Sequence, residues 1–133
     1  MVTEIVVKEA LSSEMISAGA DLTRRLDEAN FIVTASFWFY ISDANAWRLM
    51  IANPSVGLDG PRKAYKQIQS VISRMPDDQP KIELKDITVI DSKKPLISTL
   101  RRITRVEGIS GIRFSGNVID GTFIEDVYIY RIT

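Results

Sequence analysis

The chain has 133 residues, 45% of them hydrophobic, with 17 basic and 17 acidic side chains for a formal charge of zero, and it contains neither histidine nor cysteine. Without imidazole or thiolate there is no Ser-His-Asp or Cys-His nucleophile pair, no His- or Cys-ligated zinc and no iron–sulfur or redox centre, which leaves carboxylate, lysine, arginine, tyrosine and hydroxyl chemistry. The size suits one domain, residues 1–133. No apolar run approaches the roughly 18 residues of a spanning helix and no basic-then-apolar leader opens the chain, so the expectation is a cytoplasmic protein with no membrane partner.

Leu11, Met15, Ala18, Leu22 and Leu26 recur at three- and four-residue spacings, which predicts a helix over 11–29 capped by Ser12 or Ser13. The preceding Ile5 to Val7 fits either an extra helical turn or a short strand. From Phe31 the period changes to two: Phe31, Val33, Ala35, Phe37, Phe39 and Ile41 alternate with Ile32, Thr34, Ser36, Trp38 and Tyr40. After a turn at 42–46, Trp47, Leu49 and Ile51 alternate with Arg48, Met50 and Ala52, which completes an antiparallel hairpin. Pro61 stands at a first helical position, and Ala64, Tyr65, Ile68, Val71, Ile72 and Met75 make the apolar face of a helix over 61–75. Ile87 to Ile90 is an apolar run of the kind found in central strands. Pro95 opens another helix, striped by Leu96, Leu100, Ile103 and Val106 and stopped by Gly108.

The sharpest local signal is Asp120-Gly121 between two alternating runs, the favoured pair for a two-residue hairpin turn in which both residues take positive φ. Pairing Ile119 with Thr122 fixes the rest. Val118 then faces Phe123, Gly116 faces Glu125, Phe114 faces Val127 and Ile112 faces Ile129, all on a core side that leaves Glu125 among apolar neighbours. Arg113, Ser115, Asn117, Ile124, Asp126, Tyr128 and Tyr130 take the outer side. The order α-β-β-α-β-α-β-β defines an α+β domain with a five-stranded mixed sheet and helices mainly on one face.

Four constellations could carry function. Charge is distributed unevenly: residues 1–30 hold three basic and six acidic side chains, whereas residues 92–113 hold six basic ones and Glu107 alone. Arg101, Arg102 and Arg105, with Lys94 earlier, form a guanidinium strip fit for phosphates or an acidic partner. A merely solvated basic helix face is the plainer account, and zero net charge weighs against nucleic acid. Arg113 and Tyr128, across from each other beside Ser115 and Asp126, make a patch for a small polar or anionic ligand, or an ordinary solvent face. If helices cover only the odd face of the first strand, Trp38 and Tyr40 stand exposed and want a partner: a second copy, cover by Val2 to Ala10, or stacked bases. Glu83-Leu84-Lys85 on an extended segment is half of a magnesium nuclease pattern that Asp59, Asp77 or Asp78 could complete.

No phosphate-binding glycine loop is present. The resulting expectation is a small binding or interaction module without catalysis or cofactor, self-associating as a homodimer through a sheet face or edge, or binding another protein. Its contact residues are Arg101, Arg102, Arg105 and Arg113 for an anionic partner and Trp38, Tyr40 and Tyr128 for a packed one. The alternatives are a magnesium-dependent phosphodiesterase and a nucleic-acid-binding domain without cleavage.

Overall fold

The computed structural model describes residues 7–133, so the short element expected at Ile5 to Val7 lies outside the described residues except for Val7. Helix α1 (Ser13–Glu28) begins where Ser12 Oγ accepts the Met15 N–H at 3.1 Å, satisfying one of the donors a helix start leaves orphaned. Strands β1 (Ala35–Ile41) and β2 (Ala46–Asn53) form the expected hairpin. The short helix α2 (Val56–Asp59) precedes α3 (Arg62–Ser73), whose Ala64, Ile68, Val71 and Ile72 are buried. Strand β3 (Ile87–Asp91), helix α4 (Pro95–Arg101), and strands β4 (Ile112–Ile119) and β5 (Thr122–Ile132) complete the chain.

The five strands form one mixed sheet in the order β3-β2-β1-β5-β4, parallel between β2 and β3 and antiparallel elsewhere. This is the α+β architecture expected from the pattern. β3 is nevertheless an edge strand, not a central one. Its apolar run reflects cover on both faces, since Ile87 and Val89 join the cluster under α1 and α3 while Ile90 joins the cluster under α4.

Both faces of β1 are buried, and that corrects one expectation. The even face packs against α1 and α3, leaving Trp38 2% and Tyr40 6% exposed; the odd face, with Ala35 and Phe37, packs against Ile97 and Leu100 of α4. Trp38 and Tyr40 are therefore core residues and offer no open stacking surface. At their exposure each contributes on the order of 2–3 kcal/mol of apolar burial. Trp38 Nε1 donates to the Tyr130 hydroxyl at 3.0 Å and to Met15 O at 3.2 Å, so its polar atom is satisfied within the core.

The basic helix is also shorter than its apolar stripe suggests. α4 ends at Arg101, and Val106, instead of continuing the stripe, exchanges backbone hydrogen bonds with Ile132 of β5 at 2.8 and 3.1 Å. Pairing with an open strand edge outcompetes a weak local helical preference here.

Candidate functional site

The C-terminal hairpin turns as expected: Asp120 and Gly121 have φ of 49° and 79°, and Ile119 pairs with Thr122, Val118 with Phe123, Asn117 with Ile124 and Ser115 with Asp126. Its two halves differ. From Ile112 to Ser115 the sides are those expected, with Phe114, Val127 and Ile129 toward α4 and Arg113, Ser115, Asp126 and Tyr128 toward the face of α1 and α3. At Gly116 the backbone takes φ of 64°, a conformation open to glycine at little cost, and the alternation inverts. Beyond it Ile124 is fully buried in the α4 cluster. Val118 and Phe123, expected inside, are instead 70% and 60% exposed. Glu125 thus borders a wet tip and not a sealed core.

At the root, four strands bring the predicted patch together. Arg113 is registered against Tyr128, Tyr128 against Trp38, and Trp38 against Leu49. Asp126, 2% exposed, accepts two hydrogen bonds from Arg113 (Nε at 3.0 Å, Nη2 at 2.8 Å), one from Ser115 Oγ at 2.9 Å and one from Lys8 Nζ at 2.8 Å. Burial by itself pushes this carboxyl up. The hydrogen bonds from Arg113, Lys8 and Ser115 more than reverse that and hold it at about 2. The patch is therefore a charge-saturated node, with Arg113 already neutralised.

Lys8 was not singled out by the sequence, and neither was Trp47 as its neighbour. The Lys8 ammonium lies 4.6 Å from the centre of the Tyr40 ring and 5.7 Å from that of Trp47, and the Arg113 guanidinium carbon lies 5.5 Å from Trp47. The segment around Lys8 runs as a strap across the sheet. Asn45, in a left-handed conformation with φ of 45°, accepts from Glu9 N at 2.8 Å and from the Tyr40 hydroxyl at 2.6 Å and donates to Val7 O at 2.9 Å; Trp47 Nε1 donates to Glu9 O at 2.8 Å. Residues 7–10 thus supply part of the aromatic cover anticipated for Val2 to Ala10.

The predicted arginines do not form one site. Arg113 lies on the face of α1 and α3, whereas α4, which carries Arg101 at its end, packs the opposite face. Arg101 Nε donates to Thr133 O at 2.6 Å, Arg102 pairs with Asp120 at 2.5 Å, and Arg105 is exposed in the segment after the helix. Glu83 and Lys85 also depart from expectation. Residues Leu84–Asp86 form a 3-10 turn, and the two side chains pair with each other at 3.6 Å while about 70% exposed. Among the described residues no three carboxylates converge into a metal-holding group.

Two further surfaces are open. A cleft of about 620 Å³ is lined by the edges of Trp38 and Trp47 and by Glu14, Asp77, Asp78 and Asp86 beside Lys81. The second is the outer edge of β4, which among the described residues has β5 as its one strand neighbour and ends beside the exposed Val118 and Phe123. Among the described residues no helix is long and apolar enough to cross a membrane. Comparison with protein-family models, curated proteins and solved structures returned no match to this chain.

Proposed function

We propose that this chain is a non-catalytic cytoplasmic interaction module that associates with a second copy of itself through the edge of β4, without a cofactor. The observation that carries this reading is the juxtaposition of an eight-residue outermost strand with an apolar cross-strand pair turned to solvent, Val118 at 70% and Phe123 at 60% exposure. An unpaired strand edge presents a row of backbone donors and acceptors that another strand can satisfy, and natural edges are usually blunted by lysine, proline, shortness or a bulge. β4 carries neither lysine nor proline, Arg113, its one charged residue, is drawn toward Asp126, and the irregularity at Gly116 leaves Ser115 and Asn117 on either side of it in register with β5.

Charge supports a second copy as the occupant. With 17 basic and 17 acidic residues, two copies approach without long-range repulsion, and antiparallel pairing of β4 with its symmetry mate would form a two-fold interface. Arg101, Arg102 and Arg105, at and after the end of α4, remain as a secondary surface for an acidic protein partner. Nucleic acid is less favoured, because two of these arginines already have partners and the chain has no net positive charge.

Light scattering on the eluting protein tests the reading. The expected mass is about 30 kDa, twice the 15.0 kDa chain, falling toward the monomer in Val118→Lys/Phe123→Lys. A wild-type mass of one chain at every concentration would refute it.

A further inference from the structure

The Lys8 ammonium is flanked by the groups that select an alkylammonium ion. It meets the ring of Tyr40 at 4.6 Å, the ring of Trp47 at 5.7 Å and the Asp126 carboxylate at 2.8 Å. We propose that Tyr40, Trp47 and Asp126 form a binding slot for a primary alkylammonium group, the head of a lysyl side chain, and that Lys8 is its built-in, displaceable occupant.

Three features argue that the slot outlasts the departure of Lys8. Asp126 keeps both Arg113 bonds and the Ser115 bond when Lys8 leaves, so its charge stays compensated. The Tyr40 hydroxyl is held by Asn45 independently of Lys8, and the rings of Tyr40 and Trp47 brace each other at 5.4 Å between centres. The strap itself has little hold on the core: residues 7–10 are all exposed, Val7 is 77% exposed, the Lys8 side chain is 40% exposed, and every contact described for the segment is polar. Only the Lys8 side chain need swing out: the backbone of the strap stays tied through Glu9 N and Val7 O to Asn45 and through Glu9 O to Trp47 Nε1, which keeps the Trp47 ring in place, and the exchange costs no large apolar burial.

The neighbouring cleft adds a field of the right sign. Trp47 lines that cleft too, and its walls hold four carboxylates against one lysine, which raises the local concentration of cations beside the slot. A ligand must outcompete Lys8, so the apparent affinity of the intact chain is reduced by the fraction of time the slot stands open. This makes the strap an internal competitor.

The test uses the full chain as wild type, Lys8→Ala and Lys8→Met, the last keeping an unbranched stem without charge. Each is titrated with n-butylammonium chloride against sodium chloride at matched ionic strength, following the Trp47 indole N–H resonance and the thermal midpoint. Lys8→Ala should show a saturable Trp47 shift and a rising midpoint. The wild type should respond at least about tenfold more weakly, since its own lysine fills the slot, and Lys8→Met, whose uncharged stem forfeits the Asp126 pair and the cation–π contacts, should respond between the two.

An acetyl-Val-Lys-Glu-amide peptide, compared with its alanine counterpart, separates the sources of the ammonium. An effect stronger than that of butylammonium assigns the slot to peptide-borne lysine, and an equal one assigns it to alkylamines in general. Equal response of wild type and Lys8→Ala, or a response that sodium chloride reproduces, overturns the proposal. Should Lys8→Ala fail to fold, the wild type decides: butylammonium must displace Lys8, moving the resonances of residues 7–9, and their indifference overturns the slot.

Discussion

The root and the tip of the C-terminal hairpin share one turn and one register yet have opposite fates. At the root, Phe114, Val127 and Ile129 pack under α4 while Asp126 gathers Lys8, Arg113 and Ser115 on the other face. At the tip, past the left-handed Gly116, Val118 and Phe123 face water. The difference teaches that the root belongs to the stability of one chain, whereas the tip and the edge beside it belong to whatever the chain meets. Substitutions at the two ends should therefore separate cleanly into losses of stability and losses of association.

The largest effect is expected in the apolar root. Ile129 is fully buried, and Ile129→Ala should cost about 3 kcal/mol in urea unfolding through lost transfer energy and a residual cavity. A cost under about 1 kcal/mol would mean that the root is not core.

Next comes the Asp126 node. Its folded carboxyl lies at about 2 against 3.8 for the ordinary group, so its contribution is complete above about pH 4 and is lost as pH falls toward 2. The drop should reach about 2 kcal/mol over that window. Asp126→Asn should flatten this part of the stability profile, and an unchanged acid limb would show that the network contributes nothing.

Gly116→Ala addresses the boundary between the halves. With φ of 64° the substitution should destabilise by about 1 kcal/mol, read from the thermal midpoint. Neutrality there would remove the physical reason for the inverted alternation. The smallest effect is expected at the tip, where Val118→Lys and Phe123→Lys should each change monomer stability by less than about 0.5 kcal/mol while abolishing self-association.

Much of this fold was legible in local pattern. The three- and four-residue spacing of Leu22 and Leu26, the Ser12 cap and the Asp120-Gly121 turn each act within a few residues, and the register from Ile112 to Ser115 followed from the turn alone. The side of β1 that meets α1 was not legible, because Phe37 and Trp38 are both large and apolar and alternation cannot rank two hydrophobic faces. Nor was the end of α4, where Val106 answers to Ile132, 26 positions away.

The candidate site suffered most from distance. Arg113, Tyr128, Ser115 and Asp126 were placed together by the hairpin register, but Lys8 reaches Asp126 across 118 positions, and no periodicity announces such a contact. Gly116 carried the one missed local signal: an isolated glycine inside a strand pattern marks a place where the alternation can break.

Amide hydrogen exchange along β4, measured on the wild type at high and at low protein concentration, probes the proposed association most directly. Backbone amides of residues 112–119 that do not bond to β5 should exchange slowly in the concentrated protein and rapidly on dilution or in Val118→Lys, while those of β1 stay protected throughout. Fast exchange of these edge amides at every concentration would contradict self-association through β4.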